Sequence, residues 1–292
     1  MQTNSPYYLH DNDAYKSWCD EKLQNYPASL EDLIVEINDQ QHLTPAEHQA
    51  VMTLIKKVGM AIYASHNGNP HDKELIRSLG LQFGLDHLDH NMCADEDAIT
   101  SLAVQPDALH KGYIPYSNRP IAWHTDGYYN NMSQQIHGLL LHCVQPAANG
   151  GANEFLDHEI IYMQLRDINP IYIHALMNPE AMTIPANIVD GKELRPARTG
   201  PVFQIRNDGR LHMRYTDRSR SIEWRDDPAT QEAVTELKRL LRADSPYHFK
   251  GTLQAGQGLI SNNTLHTRDS FEDGDSERLL YRARYFDSIK GA

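Results

Sequence analysis

His124 and Asp126 stand two positions apart at the end of an apolar, strand-forming run, Ile121-Ala122-Trp123-His124-Thr125-Asp126-Gly127. Along an extended chain, residues i and i+2 project from one face, so an imidazole nitrogen and a carboxylate oxygen can meet at one point. They would supply two of the three donors of a 2-His-1-carboxylate facial triad, the arrangement that holds Fe(II) with coordination positions left open. The pattern is weak alone: with 16 histidines in 292 residues, about one such pair is expected by chance. A second pair, His87/Asp89, does occur, in Asp86-His87-Leu88-Asp89-His90. It lacks flanking strands and reads as a solvated loop. Gly127, by contrast, allows a turn directly after the Asp126 carboxylate.

The candidate third donor is His266, in Leu259-Ile260-Ser261-Asn262-Asn263-Thr264-Leu265-His266-Thr267-Arg268. A jelly roll sets early and late strands side by side, so the long separation suits a shared site. Beyond it, alternation in Glu277–Arg284 puts Arg278, Arg282 and Arg284 on one strand face, with Leu279, Tyr281, Ala283 and Tyr285 on the other. Two readings stay open. The arginine face is solvated and makes surface ion pairs, or the tyrosine face is outermost and the arginines turn inward. An inward guanidinium must meet an anion, because an unpaired buried charge is very costly. A dicarboxylate suits the fork of an arginine. Arg284 is read as structural, paired with a local acid.

The elements that must carry these residues follow from turn and cap signals. Helices are predicted at Asp13–Gln24, from Thr44-Pro45-Ala46-Glu47 (a capping box) to Gly59, and at His71–Leu79 with Gly80 as its stop. Gly59–Tyr63 reads as a strand. From residue 99 the texture changes to short apolar runs: Ile99–Val104, Lys111–Tyr116, Ile121–His124, Ile136–Val144, Asn153–Leu156, and Val202–Ile205 with Leu211–Tyr215 around the hairpin signal Asn207-Asp208-Gly209. Helices at His158–Leu165 and Pro228–Arg242 interrupt them, and Thr252-Leu253, Gly258–Ser261 and a long strand Arg278–Phe286 close the chain. The fold class is therefore mainly β with flanking helices around a jelly-roll core. We expect one domain over 1–292, with 1–98 a helical flank and 99–287 the core with a helical insert.

Bulk properties narrow the rest. A formal charge of −12 argues against nucleic acid or anionic lipid as partner. Cys19, Cys93 and Cys143 form no C-x-x-C pair, which argues against a disulfide framework or a structural zinc site. With no long apolar run and no signal-like N-terminus, a cytoplasmic protein without a membrane role is expected. A small-molecule substrate is the expected partner, and a homo-oligomer is left open.

Taken together, Trp-His124-Thr-Asp126, the Gly150-Gly151 turn, Asn-x-x-x-His266 and Arg278-x-x-x-Arg282 resemble the taurine dioxygenase group over roughly residues 99–287. The resemblance implies a double-stranded β-helix, with Fe(II), 2-oxoglutarate and O2 as cofactor and cosubstrates. It implies hydroxylation of an unactivated carbon of a small acidic metabolite, with release of succinate and CO2. His124, Asp126 and His266 would bind iron, and Arg278 the far carboxylate of 2-oxoglutarate. Arg282 and Tyr129 would face the substrate. Where the group often has Thr after the Gly-Gly turn, this chain has Gly150-Gly151-Ala152-Asn153, so Asn153 would donate to the cosubstrate through its amide. Tyr113, Tyr116 and Tyr128 also crowd the region, as pocket wall or as structural aromatics. The competing classes are a cupin-like metal isomerase or hydrolase and a non-catalytic sensor; neither needs Arg278 and Arg282 together with 2-oxoglutarate turnover.

Overall fold

In a computed structural model the described residues are 5–65, 67, 69–90, 95–105, 113–218 and 222–292. They form two compact units. One comprises Pro27–Ala122, Ile136–Leu156 and His248–Ala292; the other comprises Met1–Tyr26, Trp123–Gln135 and Asp157–Tyr247. Numbering only the longer elements, the helices are α1 (Asn12–Leu23), α2 (Pro45–Val58), α3 (Lys73–Gln82), α4 (His158–Ile168), α5 (Pro170–Leu176) and α6 (Pro228–Arg242). The strands of the two larger sheets are β1 (Ile34–Glu36), β2 (Met60–Ala64), β3 (Thr100–Leu102), β4 (Ile121–His124), β5 (Gly138–Gln145), β6 (Asn153–Leu156), β7 (Phe249–Gly251), β8 (Gln257–Ser261), β9 (Leu265–Arg268) and β10 (Leu279–Tyr285).

A six-stranded sheet in the order β1-β2-β8-β5-β10-β3 dominates the first unit, and a four-stranded sheet runs β7-β6-β9-β4. The early segment is thus more than a helical flank, because β1 and β2 extend the main sheet through β8. The capping box at Thr44 forms as the sequence predicts: Glu47 N–H donates to the Thr44 hydroxyl, and the Glu47 carboxylate accepts from Thr44 N–H at 2.7 Å. Helices α2 and α3 lay Val51, Met52, Ile55, Ile76 and Leu79 over Ala61, Tyr63, Leu140, Val144, Ile260, Tyr281, Ala283 and Tyr285. Each such side chain contributes on the order of 1.5–3 kcal/mol when fully buried. This packing decides which way β10 faces. Its tyrosines lie under the helices, and Arg282 and Arg284 take the opposite, buried face at 8% and 2% exposure.

Four expectations need correction. Gly80 does not stop α3; it lies inside the helix, where a Cβ would come within 2.7 Å of Tyr285 Oη. The glycine is there for close packing. Asp89 is not in a solvated loop: it is buried and ion-paired with Arg284, while His87 Nδ1 lies 3.0 Å from Asp287. Leu88 bridges Tyr285 and Asp89 N–H donates to Arg284 O at 2.8 Å, so the segment runs along β10 and its carboxylate meets the inward arginine, which local polarity could not foretell. Ile114–Tyr116 forms a short 3-10 turn instead of a strand, and Lys111 lies outside the described residues. The strand predicted at Thr252-Leu253 falls at Phe249–Gly251, where β7 pairs with β6.

The second unit carries α1 and the helical insert, α4 to α6. Helix α6 matches its predicted bounds, with Asp227 capping its first turn through Thr230 N–H. The Asn207-Asp208-Gly209 turn joins antiparallel strands Phe203–Ile205 and Leu211–Met213. Helix α5 and the short strands Met182–Ile184, Asn187–Val189, Lys192–Arg195, Arg198–Gly200 and Glu223–Trp224 were not foreseen. Lys22 of α1 is buried against Asp157, at 2.7 Å, and Glu159. Burial pushes its ammonium pKa down, but the two carboxylates outweigh that and hold it above the ordinary value. Among the described residues, no helix is long and apolar enough to cross a membrane.

Candidate metal centre

His124 closes β4, and backbone bonds pin the segment after it. Thr125 N–H donates to Tyr215 O at 3.0 Å, and Asp217 N–H donates to Trp123 O at 2.8 Å. Gly127 takes a left-handed φ of 69°, and Asn130 N–H closes the turn on its carbonyl at 2.8 Å. His124 and Asp126 are buried at 8% and 6% exposure.

On β9, His266 pairs with Phe155 and Arg268 with Asn153, so these four side chains share one sheet face. The His266 Nδ1 lies 3.0 Å from Thr264 O. A carbonyl can only accept, so Nδ1 carries the proton and Nε2 keeps its lone pair for a metal. His124, Asp126 and His266, all buried, each offer one ligand atom, and these atoms lie within 4.8 Å of one another. Two imidazole nitrogens and a carboxylate oxygen form a donor set that suits Fe(II).

The arginine expected at the cosubstrate directly precedes β10. Arg278 is 3% exposed, with its guanidinium 4.9 Å from the Phe271 ring. Burial pushes its pKa down, with Cys143 and Asp273 pulling the other way. Among the described residues no carboxylate forms a salt bridge with that guanidinium. Gly150 and Gly151 both adopt positive φ, 73° and 70°, and a Cβ on Gly151 would sit 3.4 Å from Arg278 Nε. The turn therefore lies directly on the arginine. Asn153 is buried and donates through Nδ2 to Thr267 O at 2.9 Å, leaving its second amide hydrogen available.

Arg268 is a residue that sequence reasoning passed over. It is 4% exposed, and its guanidinium donates to Pro115 O at 3.2 Å and Ser117 O at 2.6 Å. Burial, then the charges of Arg278 and Arg282, push its pKa down to about 9. It ties the segment leading into β4 to the strand that carries His266. The only available signal was its place two residues after His266, on the same strand face.

Residues 28–284 match the model of the taurine catabolism dioxygenase TauD, TfdA family. The chain belongs to this family. Members are non-haem iron, 2-oxoglutarate-dependent dioxygenases, and this chain is one: it uses Fe(II), 2-oxoglutarate and O2 to hydroxylate a small metabolite. A uridine-5'-phosphate dioxygenase from an Amycolatopsis species is 25% identical over 285 residues, covering 90% of this chain and 100% of that protein. A taurine dioxygenase from Burkholderia xenovorans has the same fold, with a TM-score of 0.58 at 14% identity over 89% of each chain. An asparagine oxygenase solved with Fe(II), hydroxyasparagine and succinate gives a TM-score of 0.60 at 13% identity, covering 84% of this chain and 81% of that one. The jelly-roll fold class expected from the sequence is therefore the one observed.

Proposed function

We propose that His124, Asp126 and His266 hold the Fe(II), that Arg278 pairs with the far carboxylate of 2-oxoglutarate, and that Asn153 donates to the same cosubstrate. Arg282 and Tyr129 face the primary substrate, a small acidic metabolite. The observation that carries this reading is the group of three buried donors within 4.8 Å of one another. The Nδ1 proton of His266 on Thr264 O supports it, because that bond fixes the tautomer whose Nε2 carries the lone pair. A buried Arg278 that forms no salt bridge with a carboxylate among the described residues suits a bidentate acid. With these groups bound, Fe(II), 2-oxoglutarate and O2 supply the oxidation of a C–H bond to C–OH, and the cosubstrate leaves as succinate and CO2. The protein's part is to orient that carbon and to exclude bulk water.

The relative named for uridine-5'-phosphate makes nucleoside monophosphates the first acids to try. The chain works as one oxygenase domain, and the cytoplasm is its place of action. The test is succinate release with Fe(II), 2-oxoglutarate and a panel of amino acids, sulfonates, carboxylates and nucleotides. One compound class should stimulate release in the wild type, and His124→Ala or Asp126→Ala should abolish it. Full activity in either variant sinks the ligand assignment.

A further inference from the structure

The second unit contains a group of arginines that the ligand assignment leaves unused. Its three-stranded sheet places Met182–Ile184 between Arg198–Gly200 and Glu223–Trp224, with Arg198 opposite Ile184 and Gly200 opposite Met182. Directly opposed residues share a face, so Arg198 projects on the face that buries Met182 and Ile184 at 0% and 2% exposure. Its Nε is buried with no hydrogen-bond partner among the described residues. The residue as a whole is half-buried, so its guanidinium stands at the edge of this face with an Nε that no protein group engages among the described residues.

A second guanidinium lies on the same face. Arg214 is 3% exposed and donates to four backbone carbonyls: Tyr128 O at 2.8 Å, Met182 O at 3.1 Å, Gly200 O at 3.2 Å and Arg198 O at 2.7 Å. Glycine at position 200 makes this seat possible, since a Cβ there would stand 2.7 Å from Met132 Sδ and 3.3 Å from Arg214 Nη1. Carbonyl dipoles hold the Arg214 charge without cancelling it. Burial, then the neighbouring charge of Arg195, push its pKa down to about 10. Arg195 lies 5.9 Å from the centre of the Tyr129 ring, and Arg218 Nη1 lies 3.3 Å from Tyr128 Oη. Three arginines thus touch Tyr128 and Tyr129, and Arg214 also holds the carbonyl of the fourth, Arg198, in a chain whose formal charge is −12. Repulsion among gathered cations is relieved by a bound anion of high charge.

We infer that Arg198, backed by Arg214 and Arg195 beside Tyr128 and Tyr129, is the subsite for a phosphate-monoester group on the primary substrate. The inference rests on the oxygenase reading for its substrate, but the subsite can be measured without turnover. Arg214 is a positioning residue: it fixes the carbonyls of Tyr128 and Arg198 so that the Arg198 fork faces a fixed point. Arg198 supplies the paired donors, and a dianion answers the charge that Arg214 and Arg195 place behind it.

The test is anaerobic calorimetric titration of inorganic phosphate into Mn(II)-loaded protein with 2-oxoglutarate present, so that Arg278 and the metal are already engaged. Phosphate should bind the wild type. Arg198→Gln should weaken that binding about 10- to 100-fold, as expected for lost hydrogen bonds to a charged group. Arg198→Lys, which keeps the charge without the fork, should lose less. Arg239→Gln, at an exposed arginine paired with Glu236 on α6, should change nothing. No phosphate binding to the wild type, equal binding to Arg198→Gln, or loss in Arg282→Gln with Arg198→Gln unaffected would each overturn the assignment. Acetate titrated in parallel separates the sources: binding of acetate as tight as phosphate shows a carboxylate subsite and refutes the phosphate one. A succinate-release screen of phosphorylated compounds against their dephosphorylated twins completes the comparison. Absence of 2-oxoglutarate turnover under every condition would refute the oxygenase reading, while the titration would still decide the subsite.

Discussion

Replacing Arg278 by alanine tests the cosubstrate assignment most directly, because the same change should barely affect the free protein and strongly affect the loaded one. In the free protein the guanidinium is 3% exposed, stacked 4.9 Å from Phe271, and has no carboxylate in a salt bridge among the described residues. Burial disfavours its charged form, which is why its pKa is pushed down. Removing it therefore relieves a desolvation cost, against the loss of its packing on Phe271, and the free Ala variant should unfold near the wild-type temperature. With 2-oxoglutarate bound, the fork would make two charge-assisted hydrogen bonds, each contributing about 1.5–3 kcal/mol. Allowing for water entering the vacated space, a net loss of about 3 kcal/mol corresponds to roughly a 150-fold rise in the dissociation constant. The assay is titration of 2-oxoglutarate into anaerobic Mn(II)-loaded protein, followed by thermal melts with and without cosubstrate. The wild type should be stabilised by 2-oxoglutarate and the variant much less at equal concentration. Arg278→Lys, with its charge but no fork, should fall between them. A dissociation constant for Arg278→Ala within about twofold of wild type would refute the reasoning.

Two further outcomes follow from the packing of the first unit. His142 is 2% exposed and lies 3.0 Å from Tyr63 Oη. Burial lowers its pKa from 6.5 to about 4, partly opposed by the Pro70 carbonyl. Its folded-state pKa is the lower one, so the unfolded chain takes up the proton first as the pH falls. The stability is complete above pH 6.5 and lost progressively down to about 4, by roughly 3 kcal/mol in all. His142→Gln should flatten the difference between urea midpoints at neutral pH and near pH 4.5; an unchanged difference would count against a buried neutral imidazole. Gly80→Val should destabilise by about 2 kcal/mol or more, since even a Cβ would stand 2.7 Å from Tyr285 Oη. A β-branched residue also gains less in a helix than alanine does. An unaltered urea midpoint would show that the helix can shift away.

Local chemistry made much of this protein legible in its sequence. The capping box at Thr44, the hairpin at Asn207-Asp208-Gly209 and the stripe of α6 formed as predicted, because each depends on neighbours within a few residues. His124 and Asp126 could be singled out because a strand fixes the direction of i and i+2. Only the tertiary structure could decide what depended on partners far along the chain. Gly80 reads locally as a helix stop, whereas in the fold it gives Tyr285 its space inside α3. Asp89 reads locally as loop polarity, whereas in the fold it pairs with the buried Arg284. The face taken by the arginines of β10 was open in the alternating pattern, since both faces carry large side chains. Helices α2 and α3 settled it by covering the tyrosines. Arg198 and Arg214 gave no signal at all, because nothing in a sequence says which of many arginines will be folded together.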